Sequence, residues 1–236
     1  MKYSECPVFC KIKRKETPIV TKVAVDEYTK MVSANFDYDF TGVSEFYPFE
    51  FPKELKDIQY DILVICGASG SGKSTLLKEL VAPPIKRFEE GKAIVSSFKT
   101  PEEAGRKLSA VGLNSIPVWC RSRNVLSVGE GFRADVALNI ESGMVFDEFT
   151  STIDRNVAKS TCNGLQKYIR NNGFKQIVFC SCHKDYIPFI KPDFVIDLDE
   201  ESCFDCRGAE LGESLPSKCT KVATRTFGGF LGNITI

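Results

Sequence analysis

Apolar residues along the chain occur in short, nearly continuous runs separated by polar stretches. Residues 62–66 (ILVIC) and 177–182 (IVFCSC) are such runs, and their β-branched character is typical of strands buried on both faces of a parallel sheet. Residues 100–113 (TPEEAGRKLSAVGL) predict a helix, because Thr100 suits the N-cap and Pro101 the first helical position. The pattern predicts an α/β fold with a mainly parallel core sheet flanked by helices.

The two ends of the chain have a different pattern. Near the N-terminus the shorter alternating segments PIVTKVAV, SANFDYDF and FYPFEFP predict strands of an antiparallel β subdomain. After Asp199 the chain turns to glycine, serine and charged residues, and TFGGFLGNITI is expected to supply a final strand.

Composition and charge narrow the class of protein. The chain has 236 residues, of which 43% are hydrophobic, enough to bury one sizeable core. Lys and Arg balance Asp and Glu at 31 each, so no overall field would attract the protein to nucleic acid or anionic lipid. The basic run KIKRK (residues 11–15) is the local candidate for nucleic-acid contact, with a solvated edge as the simpler interpretation.

The sequence was also searched for membrane-spanning runs and for a signal peptide. No apolar run approaches the roughly 18 residues that would span a bilayer. The N-terminal segment MKYSECPVFCKIKRK lacks the apolar centre of a signal peptide. The sequence therefore predicts a soluble, cytoplasmic protein with no direct membrane insertion.

Ten cysteines raise the question of a metal site. Cys66, Cys180 and Cys182 fall in apolar runs and are predicted to be small core residues. The segments CPVFC and CFDC, with Cys219 beyond them, would supply thiolates to a structural zinc if the termini meet. The four cysteines in these two segments are Cys6, Cys10, Cys203 and Cys206. Only one segment has the usual two-residue gap, so unpaired cysteines are the preferred interpretation.

A glycine-rich loop follows the first buried run. Residues 67–74 (GASGSGKS) fit G-x-x-x-x-G-K-[ST] and lead into TLLKEL, which should open a helix. Glycines let successive backbone N–H groups curl around an anion, and a helix N-terminus adds partial positive charge. Lys73 is predicted to reach the β- and γ-phosphates of a nucleotide, and Ser74 to ligate Mg²⁺. The candidate nucleotide-binding residues here are Gly67, Ala68, Ser69, Gly70, Ser71, Gly72, Lys73, Ser74 and Thr75.

Two further motifs supply candidate catalytic groups. The run GMVFDE ends in adjacent carboxylates, of which Asp147 suits the outer sphere of Mg²⁺ and Glu148 is placed to polarise an attacking water. His183, the single histidine, follows the run IVFCSC. From these motifs the predicted catalytic residues are Lys73 and Glu148, and the predicted metal ligands are Ser74 and Asp147. A lone histidine is more often structural than catalytic, but the position of His183 just after a buried strand makes it a third catalytic candidate.

The motif order points to a family. GASGSGKS, LSVGE, VFDE, STID and CH resemble the Walker A, signature, Walker B, D-loop and H-loop motifs of the ATP-binding-cassette (ABC) ATPase superfamily, over about residues 62–197. The resemblance implies an ATP-dependent, head-to-tail homodimer that hydrolyses Mg-ATP to ADP and phosphate, in which positioning and charge neutralisation supply most of the rate enhancement.

The resemblance also assigns roles to individual residues. Ser127 and Gly129, beside Glu130 in the signature, would contact ATP held by the other copy. Asp154 would help form the dimer seam. His183 would sense the γ-phosphate beside Glu148.

The sequence departs from transporter cassettes in the segment that precedes the signature. The glutamine usual there is absent, since Gln59, Gln166 and Gln176 lie outside that window, and Ser96 and Ser97 are the substitutes we consider. The window is also short, so only a reduced helical subdomain fits.

The signature itself leaves several alternatives for the function. Glu130 is a variant also typical of chromosome-maintenance and DNA-repair cassettes, but no sustained heptads for their coiled coils occur. PEEAGRKLSAVGL and DEFTSTIDR resemble a group of soluble cassette ATPases, some fused to an acetyltransferase-like domain, so a separate acetyltransferase-like protein is a candidate partner. A transporter subunit, a DNA-maintenance ATPase and a nucleotide switch without turnover are the alternatives.

We therefore expect one domain over residues 1–236. It comprises an antiparallel β part (1–60), a nucleotide core (61–100 and 140–200), a short helical arm with the signature (101–139) and a C-terminal extension (201–236). In the family an aromatic ring of the first part stacks on adenine, with Phe40 and Tyr47 preferred here. The full set of candidates is Phe36, Tyr38, Phe40, Phe46 and Tyr47.

Overall fold

A central sheet organises the computed structural model, which describes residues 1–211. The strands are, in chain order, β1 (Val8–Lys11), β2 (Ile19–Lys22), β3 (Val43–Phe46), β4 (Ile62–Cys66), β5 (Val145–Phe146), β6 (Ile177–Ser181), β7 (Phe194–Asp197) and β8 (Ser202–Asp205). Six of them form one sheet in the order β1-β8-β7-β4-β6-β5, and β2 pairs with β3 in a separate two-stranded sheet.

The sheet is parallel at its centre and antiparallel at one edge. Strands β7, β4, β6 and β5 run parallel, whereas β8 and then β1 are added antiparallel. This arrangement confirms the predicted α/β class with a mainly parallel core sheet. Because the parallel strands share a direction, the loops after their carboxyl ends meet at one edge of the sheet.

The apolar run of strand β4 is continuous because side chains on both faces of the strand are buried. Ile62, Val64 and Cys66 pack into one hydrophobic cluster. Leu63 and Ile65, which point to the other face, pack into a second cluster. Both faces of the sheet are therefore covered, and the strand is buried along its whole length.

Eight α-helices accompany the strands in the described part of the chain. They are α1 (Glu27–Asn35), α2 (Lys53–Lys56), α3 (Lys73–Leu77), α4 (Pro101–Ala110), α5 (Ile116–Trp119), α6 (Val128–Asn139), α7 (Arg155–Asn171) and α8 (Ile187–Ile190). Helix α4 begins as predicted, because the Thr100 hydroxyl accepts a hydrogen bond from the Glu103 N–H at 3.2 Å. Helix α7 buries Ala158, Leu165 and Ile169, at the spacing of one helix face.

The N-terminal part differs from the prediction in two ways. Strand β1 belongs to the main sheet, not to a separate subdomain. The segment SANFDYDF, predicted as a strand, instead ends helix α1 and continues as a loop. The Asp26 carboxylate accepts from the Thr29 N–H at 2.8 Å and starts that helix, while Phe36 and Tyr38 are left exposed. The alternating apolar residues of this segment therefore do not correspond to the buried face of a sheet.

The core extends further toward the C-terminus than predicted. Strand β8 falls within the segment assigned to the C-terminal extension but pairs with β7 and β1. Cys66 and Cys180 are buried as predicted, whereas Cys182 is exposed, because it lies beyond the end of β6. TFGGFLGNITI and Cys219 lie outside the described residues. Within residues 1–211, no helix combines the length and apolar character needed to cross a membrane.

Candidate functional site

The loop between β4 and α3 has the conformation that its glycines permit. Gly70 and Gly72 have φ values of +79° and +98°, a region that side chains with a Cβ rarely adopt. Lys73 is buried, and its amino group donates to the carbonyl oxygens of Gly67 at 2.9 Å and Ala68 at 2.7 Å. The loop is thus curled around the lysine that the motif assigns to phosphate.

One hydroxyl of this loop has no partner of its own. The Ser71 Oγ atom is buried and has no hydrogen-bond partner in the described part of the chain. A buried polar group without a partner is costly. The loop therefore offers a hydroxyl and a cation at the same place, which suits an anionic acceptor such as phosphate.

The two predicted metal ligands lie in direct contact. The Ser74 hydroxyl donates to the Asp147 Oδ2 atom at 2.8 Å, although the two residues are 73 positions apart. Asp147 follows β5 and accepts a second hydrogen bond, at Oδ1, from the Glu148 N–H at 2.8 Å. A hydroxyl and a carboxylate placed together form an oxygen donor set of the kind that Mg²⁺ prefers.

Glu148 stands at a special backbone position beside this pair. Its φ is +50°, its side chain is exposed, and its carbonyl oxygen accepts from the Ser151 hydroxyl at 2.6 Å. The next residue, Phe149, is buried and donates its N–H to the Cys180 carbonyl at 2.8 Å. The turn is therefore anchored to β6 on one side while the Glu148 carboxylate remains accessible.

The residue after the predicted H-loop histidine anchors the glycine-rich loop. The Lys184 amino group donates to Asp197 at 2.8 Å and lies 2.9 Å from Asp199. Asp199 in turn accepts from the Ala68 N–H at 2.9 Å. The hydrogen bond from the Ala68 N–H and that from Lys184 lower the pKa of Asp199. A chain of ionic contacts thus joins the segment of His183 to the start of the loop.

This ionic chain was not predicted from the sequence. The available signal was two carboxylates, Asp197 and Asp199, at the end of the buried run FVID. Acidic residues there lie at the same sheet edge as the loop, because β7 is the parallel neighbour of β4. Asp197 is buried and also accepts from the Tyr3 hydroxyl at 2.8 Å.

His183 itself takes a modest part in the described contacts. Its backbone N–H donates to the Ser181 hydroxyl at 3.1 Å, and the residue is half-buried. The structure places it after β6, the strand that lies between β4 and β5 in the sheet. His183 therefore follows β6, whose neighbours β4 and β5 lead to Lys73 and Glu148 respectively.

The predicted signature residues begin helix α6. The Ser127 hydroxyl donates to Glu130 Oε2 at 2.8 Å and accepts from the Glu130 N–H at 3.3 Å, which forms a capping box. The hydrogen bonds from the Ser127 N–H and hydroxyl lower the pKa of Glu130. Both side chains thus complete the start of their own helix.

The signature and the D-loop pack against each other. A methyl group added at Gly129 would lie 3.3 Å from Ile153 Cγ2, so the two segments are in close contact here. Asp154 caps helix α7 by accepting from the N–H groups of Asn156 and Val157. No hydrogen bond or ion pair within residues 1–211 joins Ser127, Gly129 or Glu130 to the glycine-rich loop.

Among the candidate adenine-stacking residues, Phe46 is the one that reaches the loop. A methyl group added at Gly72 would lie 2.6 Å from Phe46 Cζ, so the ring lies directly over the loop. Tyr38 and Phe40 stack on each other, with ring centroids 6.5 Å apart. Tyr47, although preferred from the sequence, is directed toward Glu45, with its hydroxyl 3.5 Å from the carboxylate.

Two further predicted features have definite places. Ser96 and Ser97 lie in a 3-10 turn, Ile94–Ser97, ahead of α4.

In the run KIKRK, Arg14 pairs with Glu201 at 2.9 Å and Lys15 with Glu79 at 2.6 Å. These ion pairs reduce the free positive charge of the run and weaken the case for nucleic-acid contact.

The cysteines proposed for zinc do not come together as a set. Among residues 1–211, no group of three or more His, Cys, Asp and Glu side chains is placed to hold a metal ion. Cys203 belongs to one hydrophobic cluster and Cys206 to the other, on opposite faces of the sheet. Cys203, within β8, and Cys206, just after it, therefore have their thiols on different faces.

Comparison with known proteins finds similarity only in three-dimensional structure. No known sequence family matches the chain, and no curated protein matches it. One similar solved structure is an ATP-binding cassette in a dimeric post-hydrolysis state with ADP and Pi, with 14% identity, a TM-score of 0.48 and coverage of 79% of this chain and 93% of that one.

Two other similar structures also contain ATP-binding cassettes. The ADP conformation of a transporter's cassette has 15% identity and a TM-score of 0.42 over 58% of this chain and 76% of that one. A bacterial Atm1-family ABC exporter with ATP bound has 14% identity and a TM-score of 0.45 over 90% of this chain and 41% of that one. The α/β assignment rests on the strand order and on the loop between β4 and α3.

Proposed function

We propose that the protein is an ABC-type ATPase that binds Mg-ATP in the loop of residues 67–75 and hydrolyses it to ADP and phosphate. The observation that carries this proposal is the hydrogen bond of 2.8 Å between the Ser74 hydroxyl and Asp147. It brings the end of the Walker A motif onto the Walker B carboxylate, which is the arrangement that a nucleotide-bound Mg²⁺ requires.

The loop residues fit a triphosphate and its metal ion. Lys73, which donates to Gly67 and Ala68 in this structure, would exchange these carbonyls for phosphate oxygens. The unpartnered Ser71 hydroxyl would gain an acceptor. Ser74 and Asp147 would hold Mg²⁺, which supplies charge neutralisation on the phosphates when bound.

The remaining residues of the site act on water and on the nucleotide base. Glu148, exposed beside Asp147, would orient and polarise the attacking water. His183 would contact the γ-phosphate from the neighbouring loop. Phe46 would cover the base, a role supported by the contact of its ring with Gly72.

The site is expected to be completed by a second copy. Ser127, Gly129 and Glu130 begin a helix that makes no hydrogen bond or ion pair to the loop of the same described chain, which supports a role toward the loop of a partner. A contact of Ser127 with phosphate would replace its bond to Glu130. Asp154, which begins α7 beside this helix, would lie at the seam.

The partner and the location of the protein remain predictions from the sequence. We propose that ATP-driven dimerisation changes the conformation of a protein partner in the cytoplasm, with an acetyltransferase-like protein as one candidate. A transporter subunit or a DNA-maintenance ATPase would share the same nucleotide chemistry.

The test is the rate of Mg-ATP hydrolysis per molecule as a function of protein concentration. We expect this specific rate to rise with concentration, because each site needs a second copy. Glu148→Gln should reduce the rate about 10²-fold or more, since general-base catalysis contributes that much. The control is Glu16→Gln, an exposed glutamate outside the site, which should leave the rate unchanged.

Light scattering on Glu148→Gln with saturating Mg-ATP provides the second measurement. The variant is expected to accumulate as a dimer with ATP and to be monomeric without it. A protein that binds no nucleotide, or whose hydrolysis is the same in Glu148→Gln and in the unchanged chain, would overturn the proposal.

A further inference from the structure

The four cysteines near the chain ends form two pairs on the edge ladder between β1 and β8. Cys10 lies opposite Cys203 in the register of these strands. Cys6 and Cys206 lie just beyond the ladder, where the Asp205 N–H donates to the Pro7 carbonyl oxygen at 2.9 Å, and both belong to the same hydrophobic cluster. The pairs are separated by the sheet, since Cys203 packs in one hydrophobic cluster and Cys206 in the other.

The register of β1 and β8 places Cys10 directly opposite Cys203, which is the backbone arrangement that a disulfide needs. Directly opposed residues of antiparallel strands have Cα atoms about 4.5–5.5 Å apart, within the range of about 4.4–6.8 Å that disulfides span. Their side chains lie on the same face of the sheet. Cys203 lies within one hydrophobic cluster, and Cys10 packs against the same cluster.

Access to solvent distinguishes the two pairs. Cys6 is 5% exposed and Cys206 is 3% exposed, so both thiols of that pair are enclosed. Cys203 is fully buried at 0%, but Cys10 is only half-buried and lies on β1, the edge strand of the sheet. A reagent in solution therefore reaches Cys10 first.

We propose that Cys10 and Cys203 are a redox modification site, which a small-molecule disulfide converts to a bond that ties β1 to β8. The Cys10 thiolate attacks the reagent RSSR, forms a mixed disulfide and releases one RS⁻. The Cys203 thiolate then attacks the Cys10 sulfur and releases the second RS⁻. The protein loses two electrons and two protons, and RSSR is reduced to two RSH.

The surroundings of Cys10 and Cys203 affect the rate of thiol–disulfide exchange. Burial, with the nearby Glu54 carboxylate, raises the pKa of Cys10. Burial and the charges of Cys10, Asp205 and Glu54 raise the pKa of Cys203. Because the thiolate is the attacking species, exchange is slow at neutral pH and is best measured at about pH 8.5, where more thiolate is present.

The experiment treats the folded full-length chain with glutathione disulfide, blocks the remaining thiols with iodoacetamide and maps the peptides by mass spectrometry. We expect a Cys10–Cys203 crosslink and no Cys6–Cys206 crosslink. The thermal midpoint should rise by several degrees and return to its starting value on reduction, because the bond restrains the unfolded chain. Exposed Cys120 and Cys182 should form glutathione adducts and so report that the reagent was active.

Two variants separate the steps. Cys203→Ser should leave Cys10 as a stable glutathione adduct, whereas Cys10→Ser should leave Cys203 unmodified. Circular dichroism verifies that each variant is folded. If Cys203→Ser does not fold, Cys10→Ser, at a half-buried position, still provides the test. The proposal is overturned if Cys120 reacts fully in the unchanged chain while Cys10 is recovered reduced or only as an adduct.

Discussion

Contacts between single side chains bring distant parts of the chain to one place. Ser74 meets Asp147 across 73 positions, and Asp199 meets the Ala68 N–H across 131 positions. Each contact joins the segment that follows one parallel strand to the segment that follows another. The proposed site is therefore made of residues that have separate local roles but a common sheet edge.

The position of Phe46 leads to a prediction about nucleotide affinity. Phe46→Ala should weaken ATP binding about 2- to 13-fold, because an aromatic stacking contact contributes roughly 0.5–1.5 kcal/mol. Tyr47→Ala is the matched control and should bind ATP as the unchanged chain does. Titration with a fluorescent ATP analogue measures both.

Two other outcomes of this titration would contradict the role of Phe46. If Tyr47→Ala weakens binding and Phe46→Ala does not, then the ring on Gly72 in this structure is not the one that contacts adenine. If neither changes the affinity, adenine is held by a different part of the protein.

At the scale of elements, local signals predict a helix best when its cap and its apolar face agree. Helix α4 has both, with Thr100 at its start and Ala104 and Leu108 buried on one face. Helix α1 has a cap at Asp26 but no buried residue, so its apolar pattern gave no signal. This is why α4 was predicted and α1 was not.

The cap of α4 provides a test of that view. Thr100→Ala should destabilise the protein by about 1 kcal/mol, because the Glu103 N–H loses its acceptor. Thr100→Ser keeps the hydroxyl and should cost much less. The free energy of unfolding, from urea titration, compares the two. Equal losses in both variants would show that the Thr100 methyl group matters more than the cap.

At the scale of the whole molecule, ionised carboxylates connect the sheet to its loops. The hydrogen bonds from Ala68 and Lys184 lower the pKa of Asp199. The hydrogen bonds from Arg207 lower the pKa of Asp205. Both residues lie at ends of core strands or just beyond them, so their charge affects how the sheet and its loops are held.

These pKa values predict how stability depends on acidity. A carboxyl whose pKa is lower in the folded state stabilises the protein above its unfolded pKa, about 3.9 for Asp, and that stability is lost as the pH falls through the folded pKa. The thermal midpoint should therefore be steady near pH 7 and fall below about pH 4.

Variants assign that loss to particular residues. Asp199→Asn and Asp205→Asn should each lower stability at pH 7 by about half a kcal/mol, as expected for partly exposed ion pairs, and flatten the acid decline. Asp39→Asn, at an exposed position, should leave the profile unchanged. A decline that is equally steep in all variants would assign the acid sensitivity to other groups.

The sequence by itself determined the buried strands β4 and β6, the helix α4, the α/β class and the loop that suits phosphate. These follow from apolar runs, caps and motif spacing, which act over a few neighbouring residues. Tertiary structure decided the rest, because it depends on which strands become neighbours. The contact of Ser74 with Asp147, the anchoring of Ala68 by Asp199, the placement of Phe46 on Gly72 and the separation of the cysteines into two faces all arise from strand order and register, which no local pattern contains.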